Sequence, residues 1–375
     1  MVGDARDTQP CIVLAAGGTG GHLFPAFALA EELQRRGLAV ELMTDMRGDR
    51  YGTGFPARAI HQVHAATLKG RSPLALASTG VTLARGVREA YALLGRIKPQ
   101  AVVGFGGYPT LPPLLAARLR KIPSALHEQN AVMGRANRML ARKVTAIAAS
   151  FEGTQALEPE AKAKTTVTGN PVRQVVLDWS RQPYAAPDAD GPIRLLVFGG
   201  SQGARYFSES VPPALAQLPA DLRRRLSVVQ QCREEDLAAV RQAYAQAHIA
   251  ASLAAFFPNL PEIMASSHLV MARAGASSVA ELAVMGRPSV LVPLPHALDN
   301  DQLQNATRLA ESGGCWCIEQ KALTSERLAW ELEQLFREPA RLSAAADGAR
   351  RVGRPDAVAR LAGLVEQLAG KTKQP

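Results

Sequence analysis

Along this chain, short runs of aliphatic residues alternate with longer stretches whose apolar positions recur every three or four residues. Residues 11–15 predict a buried strand, and Phe24, Leu29 and Leu33 then mark one face of a helix that opens at Phe24-Pro25-Ala26 and closes at Gly37. Residues 40–44 predict a second strand and 48–54 a Gly-rich loop. Residues 73–97 predict a helix with Leu76, Leu83, Val87, Tyr91 and Leu94 near one face. Further strands are expected at 101–104, from Ser124, at 144–149, from Arg194, and at 226–230, 250–256, 269–272, 289–293 and 315–319. Strands that alternate with helices in both halves imply an α/β protein built on parallel sheets. A length of 375 residues fits two such domains, expected at 1–172 and 173–375 with a Pro- and Asp-rich linker at about 178–192 and a C-terminal helix able to pack back on the first domain.

Glycines punctuate the ends of these strands. Gly17-Gly18-Thr19-Gly20-Gly21-His22 follows the first strand and reads as a turn before the helix. Glycines let a backbone approach an anion closely, and a helix N-terminus favours its charge, so this segment reads as a phosphate cradle. His22 is its only titratable side chain. The pattern recurs at Gly104-Phe-Gly-Gly-Tyr108 and at Gly199-Gly-Ser201-Gln-Gly-Ala204. A strand ends in His127-Glu128-Gln129-Asn130, four polar groups that would be costly to bury without partners. In the second half Arg273-Ala-Gly275-Ala276-Ser277-Ser278 leads into a helix containing Glu281. The Ser278–Glu281 spacing matches a capping box, and the alternative is a diphosphate held by the backbone of 276–278 with Glu281 on a ribose. A loop from Val292 to Ala306 is dense in groups suited to sugar hydroxyls.

Charge narrows the partners. The net charge is +10, and residues 60–150 hold thirteen Lys or Arg against two acids, Glu89 and Glu128. An anionic partner is implied, and the scarcity of aromatic residues in that window argues against nucleic acid. Arg85, Arg88, Arg138 and Arg142 are expected to form a face for an anionic membrane surface. No run is long enough to span a membrane, and the polar stretch from Met1 to Pro10 reads as a frayed tail rather than a signal peptide. Four cysteines without metal-ligand spacing point to a reducing compartment. Asp188-Ala-Asp190 and Asp299-Asn-Asp301 are the strings a metal-dependent enzyme could use, but no metal or other cofactor is expected in the chemistry.

Taken in order, these motifs, with Gly169-Asn-Pro-Val-Arg173 between the halves, closely resemble the MurG family of peptidoglycan synthesis. The resemblance covers nearly the whole chain. It implies a GT-B glycosyltransferase, two Rossmann-like parallel-sheet domains facing across a cleft, at the cytoplasmic face of a bacterial membrane. The donor would be UDP-GlcNAc and the acceptor lipid I, an undecaprenyl-diphospho-muramoyl pentapeptide. Carried onto matching positions, Arg173, Ser201, Ala276, Ser277, Ser278, Glu281 and Gln302 would serve the donor, with a backbone contact from Phe257. Thr19, Gly20, Gly21, His22, Tyr108 and Asn130 would serve the acceptor. Two positions depart from the pattern: Phe256-Phe257-Pro258 replaces an Ile followed by acids, and Asp301 puts a carboxylate near the sugar. Inverting transfer needs a base at the acceptor hydroxyl, and the candidates are His22, His127 and Glu128. A glycolipid synthase with another acceptor, a nicotinamide-dependent oxidoreductase using Asp45, and a non-catalytic nucleotide-binding protein at the membrane are the competing readings.

Overall fold

The computed structural model describes residues 9–17, 20–45, 54–65, 72–199, 204–295 and 297–370. Its chain divides into two compact units, one of residues 1–173 with 355–375 and one of residues 174–354. The second domain therefore ends at Arg354, and the last helix belongs by its contacts to the first unit.

In the first unit the strands are β1 (Cys11–Ala15), β2 (Ala39–Thr44), β3 (Ala59–Gln62), β4 (Ala101–Gly104), β5 (Ser124–Glu128), β6 (Ala146–Ala149) and β7 (Thr165–Val167). They form one parallel sheet in the order β3-β2-β1-β4-β5-β6-β7. β1 is buried throughout, as its unbroken aliphatic run requires of a strand covered on both faces. The order reverses between β1 and β4, which is where open α/β sheets place a ligand, beyond the C-terminal ends of the strands.

The helix Gly20–Arg35 begins a full turn before Phe24, so Gly20, Gly21 and His22 are its first turn and not part of the preceding loop. Its apolar face shares a core with Leu361, Val365 and Leu368 of the C-terminal helix Ala357–Gly370, and Arg36 donates to Glu366 at 2.7 Å.

The helix Pro73–Ile97 has the expected bounds but a different buried stripe: Gly86, Ala90 and Leu94 face inward, while Tyr91 is exposed. Small residues win here because the backbone passes close. A β-carbon on Gly86 would lie 1.9 Å from the His64 carbonyl oxygen. Gly86→Ala should therefore destabilise the first unit by about 3 kcal/mol, the upper end of the usual cost of overpacking, measured by urea unfolding.

The second unit carries β8 (Ile193–Phe198), β9 (Leu226–Gln231), β10 (Ala250–Ala254), β11 (Leu269–Ala272), β12 (Ser289–Leu291) and β13 (Cys315–Cys317). Again all pairs are parallel, in the order β10-β9-β8-β11-β12-β13, with the reversal between β8 and β11. The stretch expected as a linker lies along this unit. Tyr184 donates to the His268 carbonyl at 2.9 Å, the buried Arg287 donates to the Gln182 carbonyl at 2.9 Å, and Arg225 donates to the carbonyls of Asp188 and Gly191.

Candidate active site

In the first unit the expected residues converge at the β1/β4 reversal. His22 is half-buried against Gly106 and Gly107, whose φ of 85° and 73° suit only glycine without strain. A β-carbon on Gly106 would lie 3.3 Å from Cε1 of His22, and one on Gly107 3.3 Å from Cδ2. The second Gly-rich turn thus shapes a slot for the imidazole. Nδ1 of His22 lies 3.2 Å from Oε1 of Gln129, and the Phe105 carbonyl is a further acceptor beside the ring. Burial lowers the His22 pKa from its ordinary 6.5, outweighing these hydrogen bonds, so the neutral base form is favoured.

His127 and Glu128, the other candidate bases, are buried at the end of β5 with their polar atoms engaged. His127 donates from Nε2 to the Gly169 carbonyl at 3.0 Å, and its Nδ1 lies 3.0 Å from the Gln129 amide nitrogen. Desolvation holds its pKa down at about 4. Glu128 accepts four hydrogen bonds: from the backbone and side chain of Asn130, from Gly134 N and from Asn137. Burial raises its pKa and these donors oppose the rise. The carboxylate is committed to shaping the segment from Asn130 to Asn137. Gln129, absent from the expected site set, joins His22 to His127. Side chains alternate along a strand, so residues 127 and 129 fall on one face and 128 and 130 on the other. That alternation was the signal available in the sequence.

Tyr108 opens a 3-10 turn, Tyr108–Thr110, whose N-cap is Gly107. Arg173, expected beside the donor, belongs to the first unit, with its guanidinium 4.5 Å from the Phe24 ring centroid. Thr19 lies outside the described residues.

In the second unit the helix Ala276–Met285 leaves the C-terminal end of β11, beside the β8/β11 reversal. Its N-cap is Gly275, with extended φ and ψ and no side-chain cap. The Ser278–Glu281 capping box does not form, because Ser277 and Ser278 lie inside the helix. The leading backbone of 276–278 therefore starts a helix whose N-cap, Gly275, has no side chain to cap it, a geometry that suits an anion. Glu281 is buried one turn further on. Arg273, also missed as a positioning residue, is buried ahead of this helix. It donates to the Val292 and Pro293 carbonyls at 3.1 and 3.2 Å and to Gln320 at 2.7 Å, which holds the loop after β12 in place.

Gln302 closes that loop by accepting from Leu294 N at 2.9 Å, and Asp301 accepts from Gln302 N at 2.7 Å. Asp301 therefore serves as a local turn-former. Phe257 lies in the turn between β10 and the helix Leu260–Ser266, where its carbonyl accepts from Leu260 N at 3.3 Å. Ser201 lies outside the described residues. Among the described residues no group of three or more His, Cys, Asp and Glu side chains is placed to hold a metal.

Residues 12–149 match the N-terminal domain of glycosyltransferase family 28, and residues 194–361 match its C-terminal domain. A protein of Nitrobacter hamburgensis named UDP-N-acetylglucosamine–N-acetylmuramyl-(pentapeptide) pyrophosphoryl-undecaprenol N-acetylglucosamine transferase is 54% identical over 96% of this chain and 98% of its own. A protein of the same name from Rhodopseudomonas palustris is 55% identical over 97% of each. The crystal structure of Acinetobacter baumannii MurG superposes with a TM-score of 0.77 at 30% identity, over 96% of this chain and 99% of that one. The chain belongs to the MurG family. The fold extends beyond the MurG family: S. aureus MnaA, solved with UDP, shares it at 13% identity and a TM-score of 0.70, over 98% of this chain and 99% of that one. MurG-family membership removes the oxidoreductase reading, and Asp45 instead lies buried at the end of β2 against Gly17.

Proposed function

We propose that this chain transfers GlcNAc from UDP-GlcNAc to the 4-hydroxyl of the muramoyl sugar of a lipid-linked diphospho-muramoyl pentapeptide, giving a β-1,4 bond. The observation that carries this reading is the match, across nearly the full length, to transferases of that name. The geometry supports particular roles within it. The helix start at Ala276–Ser278 receives the donor diphosphate, with Glu281 accepting from the ribose, and Gln302 orders the loop beside the sugar. Gly20 and Gly21, at the start of the other helix, receive the acceptor diphosphate, and the family resemblance adds Thr19, Tyr108 and Asn130 to that role.

In the transfer step His22 takes the proton from the acceptor hydroxyl as its oxygen bonds to C1 of the sugar. The bond from C1 to the diphosphate oxygen breaks, and its electron pair leaves on UDP. Of the two candidate histidines, His127 has both ring nitrogens engaged, by the Gly169 carbonyl and the Gln129 amide, whereas Gln129 meets His22 at Nδ1 alone. Helix N–H groups with Ser201 stabilise the leaving diphosphate, with no metal in the chemistry. Transfer of labelled GlcNAc from UDP-GlcNAc to a lipid I analogue tests the reading, and the activity should persist in EDTA. Absence of transfer, with UDP-GlcNAc still bound, would replace it with a nucleotide-binding role.

The acceptor is lipid-borne, so the enzyme must reach the cytoplasmic membrane surface as a peripheral protein. Among the described residues no helix is long and apolar enough to cross a membrane. Arg85, Arg88, Arg138 and Arg142 are all exposed, with Arg85 paired to Glu89 and Arg142 to Glu158. Basic residues at an anionic surface contribute about 1 kcal/mol each. Replacing all four with Glu should abolish sedimentation with anionic vesicles, and unchanged sedimentation would reject this face.

A further inference from the structure

We infer that Gln129 and His127 are positioning residues that fix the tautomer of His22, placing its proton on Nδ1 and its lone pair on Nε2. The inference rests on the reading of His22 as the base. The polarity of one hydrogen-bond chain carries it, because each link leaves a single choice of donor. A carbonyl only accepts, so the 3.0 Å contact between His127 Nε2 and the Gly169 oxygen puts the His127 proton on Nε2. His127 is completely buried without a carboxylate partner on either nitrogen, so it is neutral and its Nδ1 is an acceptor.

The amide nitrogen of Gln129 meets that acceptor at 3.0 Å and donates its other hydrogen to the His127 carbonyl, also at 3.0 Å. The second contact fixes the amide orientation, since an oxygen in that position would face another oxygen. Oε1 of Gln129 must then point toward His22, whose Nδ1 lies 3.2 Å away and has to be the donor. What remains on the imidazole is an Nε2 lone pair, the form able to take a proton from a hydroxyl. When it does so, the proton sits on Nε2 and the Nδ1–H stays bonded to Gln129, so the amide oxygen also stabilises the imidazolium.

The sequence arrangement follows from this. His127 and Gln129 can bond one another because they are two residues apart on one side of the strand end. Gly106 and Gly107 leave the ring in place, where any β-carbon would press on it within 3.4 Å. The Phe105 carbonyl is a second acceptor beside the ring, but an Nε2–H donated to it would leave Nδ1 without a hydrogen facing the Gln129 oxygen.

The test is a two-bond proton–nitrogen correlation spectrum of the full-length protein labelled with 15N in its histidine rings. The His22 signals are identified by their loss in His22→Gln. The wild type should show a protonated Nδ1 and an unprotonated Nε2 at neutral to mildly alkaline pH. Gln129→Leu should shift His22 toward the Nε2–H form that free histidine prefers, and lower kcat roughly 10- to 100-fold, the usual worth of a group that orients a functional histidine, with little change in KM. Gln129→Glu retains the acceptor and should restore the Nδ1–H form. Its carboxylate also favours the imidazolium, so the acid limb of kcat/KM should move to higher pH.

A wild-type His22 protonated on Nε2, or a tautomer unmoved by Gln129→Leu, would overturn the inference. The base reading fails separately: turnover retained by His22→Ala would end it whatever the tautomer.

Discussion

His22→Ala is expected to lower kcat by about 10²–10⁴-fold while the KM values for donor and acceptor change little, since a positioned base contributes in the transition state and not in binding. The loss should be accompanied by loss of the acid limb of the pH profile. In the wild type the working form is neutral, and burial disfavours the imidazolium, so His22 stays unprotonated to a pH below its ordinary 6.5. Activity should hold as the pH falls to that value and decline only below it. A residue that merely hydrogen-bonded the acceptor diphosphate would behave in the opposite way: its charged form would bind better, and its removal would raise KM with kcat retained. Steady-state kinetics at saturating donor, over a range of acceptor concentration and pH, separate the two.

The sheets were legible because their strands are buried. β1 and β11 have the expected bounds, and each is a run of apolar residues covered on both faces. β3 and β7 were not legible. They are edge strands of four and three residues with alternating exposure, so they have no apolar run to announce them. The first helix was read a turn too late because Gly20 and Gly21 look like loop. In the fold they are helical and form its first turn. The Ser278–Glu281 box failed for the related reason that Gly275 takes the cap position. At the site, the residue types in His127-Glu128-Gln129-Asn130 announced a polar strand end. Their division of labour depends on His22 and Gly169, contacts 107 and 42 residues distant in the chain, which no local pattern encodes.

That division makes Glu128 the sharpest test of whether polarity at a strand end means chemistry or construction. Its two oxygens accept four hydrogen bonds, and Asn130, Gly134 and Asn137 would each lose an acceptor without it. A buried donor left without a partner costs about 1–3 kcal/mol, so Glu128→Leu should destabilise the first unit by about 4 kcal/mol, with water reaching some of the donors. Glu128→Gln keeps one acceptor oxygen but turns an NH2 toward groups that themselves donate. It should therefore also lower the urea midpoint, and it should raise the acceptor KM as Asn130 loses its hold. If Glu128 were the base instead, Glu128→Gln would leave the midpoint unchanged and lower kcat at an unaltered KM. The two outcomes differ in both measurements because a carboxylate that accepts four hydrogen bonds is needed by the folded segment around it, whereas a base is needed only in the transition state.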